Sequence, residues 1–165
     1  MSDGLGRLWA GWRSAYVSGS EPEGCVLCGI VAGDDDATSG VVWRGRHSAA
    51  ALNAYPYTSG HLMVMPARHL GELEDLTADE SAELWEAVRS AVVALKAAYR
   101  PGGVNVGLNL GRAAGAGVPG HLHVHALPRW DGDTNFMTTA AGVRVIPEAL
   151  PDSWAKLRAV WPRES

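Results

Sequence analysis

The chain contains little cysteine, little lysine and no long apolar run. Two cysteines, Cys25 and Cys28, are too few for a scaffold of several disulfides, and they leave redox or metal chemistry open. Two lysines and a formal net charge of -4 exclude a basic stripe that would follow a nucleic-acid backbone. No stretch reaches the length of a membrane span, and the amino terminus lacks the apolar run of a signal peptide. We therefore expect a soluble cytoplasmic protein that binds neither nucleic acid nor membrane.

The chain length predicts one domain. Its 165 residues, 47% of them hydrophobic, can bury one core but are short for two. We expect a single domain over 1–165, with an aromatic arm at 1–24, a core at 25–130 and a C-terminal extension at 131–165. The arm carries three aromatic residues at helical spacing, which predicts a short helical turn docked on the body or on a subunit: Trp9, Trp12 and Tyr16.

Hydrophobic periodicity predicts an α+β fold with an antiparallel sheet, a long helix and a short C-terminal helix. Extended segments are expected at 40–55, 61–69, 103–111 and 121–127. The acidic stretch 32–40 is expected to be a solvated loop.

The long helix is predicted over 76–100, and the short one over 151–161. Thr77 and Glu80 have the spacing of a capping box at the start of the long helix. Its apolar face is predicted to consist of Leu84, Val88, Ala91, Val92 and Leu95.

Three histidines alternate with apolar residues in the stretch "HLHVHAL". On an extended strand, His121, His123 and His125 share one face at intervals of roughly 7 Å. The outer two would then be about 13–14 Å apart, too far to share one small ion. A metal site made by this strand alone is therefore not expected, and a packing role in a core would not explain three histidines at a period of two.

This row of imidazoles suits nucleophilic attack on phosphorus. A neutral imidazole attacks well when its other nitrogen is held by a hydrogen bond to a backbone carbonyl or a neighbour. Flanking histidines can donate to phosphate oxygens, and the glycine-rich stretch "GAGVPG" at 115–120 lets backbone N–H groups approach the same charge.

The sequence resembles the histidine triad (HIT) family of nucleotidyl hydrolases and transferases. The resemblance rests on "HLHVHAL", on the upstream "LNAYPYTSGHLMVMPARH" and on the intervening helix, and it covers roughly residues 7 to 161. Within the family, the stretches "LWAGWR", "GLNLGRAAGAG" and "PRWDGDTNF" resemble the branch of diadenosine tetraphosphate (Ap4A) phosphorylases.

The resemblance implies a role for each histidine of the site. His123 would be the nucleophile that takes up a nucleoside monophosphate, with His125 and His61 around the α-phosphate. Asn53 would bond the ribose, although its residue type also favours a turn. The implied phosphate-approach positions are Asn109, Gly115, Gly117 and Gly120. Many family members have a hydroxyl residue three positions before the first triad histidine, and here that residue is Val118.

The cysteine pair also has a place in the family pattern. A pair separated by two residues is weak evidence alone, because a structural zinc site needs four ligands. In some HIT proteins the histidine of Pro-x-x-His and the first triad histidine complete the site, which here implies zinc on Cys25, Cys28, His69 and His121. The alternatives are reduced thiols in the core, or a redox motif without the βαβ pattern that usually surrounds one.

Three functions remain open on this sequence. An Ap4A phosphorylase would use inorganic phosphate to resolve a nucleotidyl-histidine and release ADP and ATP. A HIT hydrolase or adenosine phosphoramidase would use water and release AMP. A zinc-stabilised module would bind nucleotide without turnover, although binding alone does not require the middle imidazole. The family resemblance implies an adenine nucleotide or dinucleoside polyphosphate as substrate, and a homodimer.

Overall fold

The protein has the expected α+β fold. A computed structural model describes residues 24–133 and 146–162. The helices are α1 (Val26–Ala32), α2 (Asp36–Ser39), α3 (Ala78–Tyr99) and α4 (Leu150–Val160). The strands are β1 (Val41–Arg44), β2 (Ser48–Leu52), β3 (Leu62–Pro66), β4 (Gly103–Leu108) and β5 (Val124–Arg129). The helical turn expected around Trp9, Trp12 and Tyr16 lies outside the described residues, and the division into arm, core and extension stays a prediction.

The five strands form one antiparallel sheet in the order β1-β2-β3-β5-β4. The prediction of a single strand over 40–55 was wrong. The segment is a hairpin of β1 and β2, closed where the Gly45 N–H donates to the Ser48 carbonyl at 2.9 Å. The remaining strands were expected, although β5 begins at Val124 and so starts three residues later than the predicted 121–127.

Helices α3 and α4 cover one face of the sheet and form the larger apolar core with it. The capping box of α3 is confirmed, because the Thr77 hydroxyl accepts from the Glu80 N–H and the Glu80 carboxylate accepts from the Thr77 N–H. On the predicted apolar face, Leu84, Val88, Ala91 and Leu95 are buried and Val92 is half-buried. The periodicity thus located both the helix and its buried side.

The opposite face of the sheet packs a smaller apolar cluster under α1, formed by Leu27, Val41, Ala51, Met63 and Met65. The prediction of a solvated loop over 32–40 was wrong in part, because this stretch contains α2. Asp35 caps α2 by accepting from the Thr38 N–H at 3.1 Å, and Asp36 pairs with Arg44 at 2.8 Å. The acidic residues therefore hold short helices in place.

Within residues 24–133 and 146–162, no helix has the length and apolarity needed to cross a membrane.

Candidate active site and metal cluster

The three alternating histidines lie on the face of the sheet opposite α3. Leu122 and Val124 point into the larger core, so the histidine rings between and beside them project to the other face. His121 and His123 are 0% and 6% exposed, and His125 is half-buried. The expected common face is therefore present, although the first two histidines precede β5.

His123 has one ring nitrogen held and the other left for chemistry. Its Nδ1–H donates to the carbonyl of His121 at 2.8 Å. This bond selects the neutral tautomer whose Nε2 carries a lone pair. The ring is 4.9 Å from that of His125, at an interplanar angle of 82°. The arrangement suits a nucleophile with a hydrogen-bonding neighbour.

A chain of hydrogen bonds assigns the proton of His125. The Tyr57 N–H donates to Nδ1 of His61 at 3.2 Å, so the His61 proton lies on Nε2. Nε2 of His61 then donates to Nδ1 of His125 at 2.9 Å, which places the His125 proton on Nε2. Burial is the largest cause that lowers the pKa of His125, and the electrostatic effect of the neighbouring His123 ring adds to it. His125 is thus a neutral donor on its substrate side.

His61 lies behind His125. It is fully buried and contacts His125 directly, so it reaches a ligand only through that ring. The turn before it needs glycine at position 60 for two reasons. Gly60 has a φ of +77°, which favours glycine, and a Cβ there would lie 2.5 Å from the Tyr99 ring. Asn53 accepts from the Tyr55 N–H at 2.9 Å, as a turn residue does, and its Nδ2 lies 3.3 Å from Nδ1 of His61.

Asn109 and the glycine-rich stretch follow β4. The register between β4 and β5 pairs Gly107 with His125 and ends with Leu108 opposite Val124, so Asn109 is the first residue beyond the paired part of β4. The chain then makes a 3₁₀ turn, Arg112–Ala114, and leaves it through Gly115 at a φ of +92°. The three predicted phosphate-approach glycines are exposed: Gly115, Gly117 and Gly120.

Val118 replaces a polar contact with an apolar one. Its half-buried side chain packs against the smaller apolar cluster under α1. This position therefore offers a substrate only its backbone groups.

The four predicted metal ligands lie together. Sγ of Cys25 is 3.3 Å from Nδ1 of His121, and Sγ of Cys28 is 3.2 Å from Nδ1 of His69 and 3.4 Å from that of His121. All four ligand atoms lie within 4.8 Å of one another. Nε2 of His121 donates to the Pro66 carbonyl at 2.9 Å, which turns an unprotonated Nδ1 toward the sulfurs. Two thiols and two imidazoles are a ligand set that tetrahedral Zn²⁺ prefers.

Burial acts on the protonation of this cluster. Desolvation is the largest cause that lowers the pKa of His121, which favours the neutral ring that a metal needs. Desolvation and the neighbouring Cys25 thiol raise the pKa of Cys28. A bound cation would oppose this second effect, because it stabilises the thiolate.

Arg44 anchors the helix that carries the cysteines. Its guanidinium donates to the carbonyls of Ile30, Val31 and Gly33 at the end of α1, and it pairs with Asp36. These bonds satisfy carbonyls that a helix end leaves without partners. Sequence reasoning missed Arg44, because nothing distinguishes it among twelve arginines. It also missed the Pro66 carbonyl and the Tyr57 N–H, because these are backbone groups that most residues possess.

A close backbone contact brings the two histidine ligands together. The Leu122 N–H donates to the Leu70 carbonyl at 2.6 Å. A Cβ on Gly71 would lie 2.8 Å from the Pro119 carbonyl, so only glycine allows the loop to pass this closely.

The fold and the histidine row define a class of protein, an α+β protein with three alternating histidines on one face of an antiparallel sheet. Comparison with known proteins gives the family, because the pattern of the HIT domain matches residues 35–132. The chain belongs to the histidine triad (HIT) family.

Individual relatives agree with this assignment. The chain is 43% identical over 170 residues to a Mycobacterium tuberculosis protein named AP-4-A phosphorylase, covering 98% of this chain and 87% of that protein. It is 37% identical over 95 residues to an asymmetrical bis(5'-nucleosyl)-tetraphosphatase of Schizosaccharomyces pombe, covering 58% of this chain and 52% of that one. The crystal structure of a zinc-bound histidine triad family protein from Mycobacterium smegmatis superposes with a TM-score of 0.68 at 29% identity, over 83% of this chain and 92% of that one.

Proposed function

We propose that this protein is an enzyme that cleaves Ap4A with inorganic phosphate and releases ATP and ADP. The relative named AP-4-A phosphorylase supports this reaction, since it is 43% identical over 98% of the chain. The observation that carries the proposal is the hydrogen bond from Nδ1 of His123 to the His121 carbonyl. This bond leaves Nε2 of His123 as a neutral nucleophile beside a hydrogen-bond donor, His125.

In the first step, Nε2 of His123 attacks the α-phosphorus of one adenylyl group. A P–N bond forms, the bond from this phosphorus to its bridging oxygen breaks, and the electron pair leaves on ATP. In the second step, an oxygen of inorganic phosphate attacks the same phosphorus, the P–N bond breaks, and ADP leaves. Splitting the transfer in this way replaces one difficult displacement by two easier ones.

The other histidines act on the oxygens of the reacting phosphate. His125 donates from Nε2 toward the oxygen on which negative charge develops. His61 holds the tautomer of His125 through their 2.9 Å bond and is a positioning residue. Its own Nδ1 is held by the Tyr57 N–H at 3.2 Å.

The substrate-binding residues lie around these histidines. Asn109, the first residue after β4, bonds a phosphate oxygen, and Asn53 bonds the ribose while keeping its turn bond to Tyr55. Backbone N–H groups at Gly115, Gly117 and Gly120 approach the phosphate, and their exposed backbone supports this role. They also replace the hydroxyl contact that Val118 does not provide.

A second candidate is a hydrolase in which water resolves the same adenylyl-histidine and releases AMP. The relative named bis(5'-nucleosyl)-tetraphosphatase supports this second candidate, at 37% identity over 58% of this chain, whereas Val118 lacks the hydroxyl that many family members have at this position. The two reactions share the first step and differ only in the acceptor.

Incubation with Ap4A, with and without inorganic phosphate, tests the proposal when the released nucleotides are separated and counted. Phosphate-dependent formation of equal amounts of ATP and ADP is expected. AMP released at the same rate without phosphate would assign the hydrolase instead. No turnover of Ap4A or of adenosine phosphoramidate would leave a nucleotide-binding module.

Zinc is the metal that the cysteine and histidine cluster would hold. Cys25, Cys28, His69 and His121 fit it, because two thiols and two imidazoles converge within 4.8 Å and a backbone carbonyl orients His121. The metal would supply structural stability and has no step in the reaction.

We also propose a homodimer and a cytoplasmic location. β4 is an edge strand, with Val106 43% exposed on it and Leu110 40% exposed just beyond it. An exposed apolar edge is a surface that a second copy can cover. Light scattering should give twice the chain mass, and Val106→Lys should reduce it to that of one chain. A single-chain mass for the wild type would contradict the dimer.

A further inference from the structure

Tyr99, the last residue of α3, joins several elements at one end of the sheet. Its ring packs against the turn before His61, where a Cβ on Gly60 would lie 2.5 Å from the ring. The ring of Trp130, directly after β5, meets it edge-on with the centroids 6.2 Å apart. The Tyr99 hydroxyl donates at 2.6 Å to the carboxylate of Glu148, two residues before α4. Tyr99 therefore connects α3, β5 and the segment before α4 to the turn that leads into His61.

Glu148 fixes the Tyr99 hydroxyl with a carboxylate whose two oxygens are both bonded. Oε2 also accepts from the hydroxyl of buried Ser153 at 2.7 Å, and Oε1 accepts from the Lys156 ammonium. Burial raises the pKa of Glu148, but the hydrogen bonds from Lys156, Tyr99 and Ser153 outweigh it and lower the pKa. Burial and the bond to Glu148 raise the pKa of Tyr99, so its hydroxyl stays a donor. The orientation of the ring is thus set by groups outside the histidine row.

Tyr99 supports His61 from the face of the sheet opposite the histidine row. Tyr99 and Leu62 belong to the larger core under α3, so the side chain of His61, the residue before Leu62, points to the other face. There Nε2 of His61 donates to Nδ1 of His125 at 2.9 Å. The strength of a hydrogen bond falls steeply as its angle departs from linear. A shift of the turn before His61 would therefore weaken its bond to His125.

We propose that Tyr99 is a positioning residue for the reaction, whose ring, fixed by Glu148, supports the turn at Gly60 and keeps the bond from His61 to His125 aligned. This proposal rests on the proposed function, because the alignment affects the rate only if His125 donates to a reacting phosphate. Tyr99 acts through His61 and touches no substrate. The segment that contains Glu148 thereby affects the rate of the chemical step and not the binding of the substrate.

A double-mutant cycle with His61 tests this role. We expect Tyr99→Leu to lower kcat for Ap4A about tenfold and to leave KM within about twofold. Tyr99→Phe keeps the ring and should recover most of this loss. In a His61→Ala background, Tyr99→Leu should lower kcat by less than about twofold more, because the bond that Tyr99 aligns is already absent. Trp85→Leu is the matched control, since Trp85 is 44% exposed on the same helix and should keep the wild-type kcat.

Two results would overturn the proposal. One is an equal loss of kcat from Tyr99→Leu with and without His61, because Tyr99 would then act independently of that histidine. The other is an unchanged kcat in Tyr99→Leu.

Nuclear magnetic resonance gives a readout that needs no turnover. The nitrogen-15 chemical shifts of the His61 and His125 rings should change in Tyr99→Leu and stay close to those of the wild type in Tyr99→Phe and Trp85→Leu. Unchanged shifts in Tyr99→Leu would contradict the positioning role. Changed shifts in a protein whose wild type forms no ATP and ADP from Ap4A and phosphate would support the positioning of His61 and refute the proposed function.

Discussion

Single hydrogen bonds decide what each histidine can do. His121 donates from Nε2 to the Pro66 carbonyl and turns Nδ1 toward the cysteines. His123, two positions later, donates from Nδ1 to the His121 carbonyl and keeps Nε2 for a substrate. Because the two side chains are chemically identical, the backbone carbonyl that each ring donates to makes the difference. It suits His121 to bind a metal and His123 to attack a substrate.

Removal of the attacking ring should stop turnover without unfolding the protein. We expect His123→Gly to lower the rate of Ap4A cleavage by roughly 10³-fold or more, because no neighbouring nitrogen takes the place of Nε2. The melting temperature and metal content should stay close to those of the wild type, and the variant should not form the acid-labile adenylyl-histidine. His47→Ala is a matched control, since His47 lies outside the cluster and meets Glu83 through its backbone. Near wild-type activity in His123→Gly would refute the mechanism.

The buried position of His61 predicts a different kinetic effect. We expect His61→Asn to lower kcat about 10- to 100-fold and to leave KM within about twofold, because His61 holds His125 and contacts no substrate. The loss should be smaller for an adenylyl ester whose leaving group is an acidic phenol, since such a group needs little help from a donor. Rate measurements on both substrates test this, and an equal loss on both would contradict the role.

Among the secondary-structure elements, α3 depends on a carboxylate at its first turn. Glu80 accepts from the Thr77 N–H and from two nitrogens of Arg68, each at 2.8 Å. The Arg68 guanidinium is the largest cause that lowers the pKa of Glu80, to about 2 from an ordinary value of 4.5. Because the folded state holds the charged form, this stabilisation is fully present above pH 4.5 and is lost as the pH falls toward 2.

Glu80→Gln should therefore lower the melting temperature by about 2–4 °C at pH 7. The difference from the wild type should shrink as the pH falls from 4.5 to 2, because the wild-type carboxyl is then protonated as well. Thermal melts of both proteins across this range measure it. Glu86→Gln is a suitable control, since Glu86 pairs with exposed Arg89 on the same helix. A temperature difference that stays constant down to pH 2 would rule out the carboxylate as its cause.

Elements with a local signal could be predicted from the sequence, and those formed by distant contacts could not. The period of α3 and its capping residues locate that helix, and alternation locates β3, β4 and the histidine row. Helix α1 has seven residues, too few for a clear period or for stability of its own. It forms because Arg44 holds its last carbonyls. The hairpin of β1 and β2 was missed because the turn near Gly45 lacks a typical two-residue signal.

At the scale of the whole molecule, the two faces of the sheet have different roles: one packs against α3, and the other carries α1 and the histidine row. Alternate residues of β3 show this division, since Leu62 and Val64 join the core under α3 while Met63 and Met65 face α1. The candidate ligands and the histidine row were therefore predictable from alternation and family pattern, because side-chain direction on a strand follows from position alone. Their partners, such as the Pro66 carbonyl, depend on how the chain brings remote backbone together and were not predictable.

Metal binding should couple these remote segments. Cys25 and His121 are 96 positions apart, and the ring that would bind the metal belongs to the residue whose carbonyl orients His123. We expect about one zinc per chain in metal-replete protein and almost none in the double variant Cys25→Ser, Cys28→Ser. Chelation and the double variant should each lower the melting temperature by several degrees or more, because the free energy of metal binding adds to the free energy of folding. Turnover should fall less than in His123→Gly, since a bound metal would hold His121 in place and would take no part in the attack. Elemental analysis beside thermal melts decides the matter: zinc near zero in the wild type, or unchanged in the double variant, would return the two cysteines to a packing role.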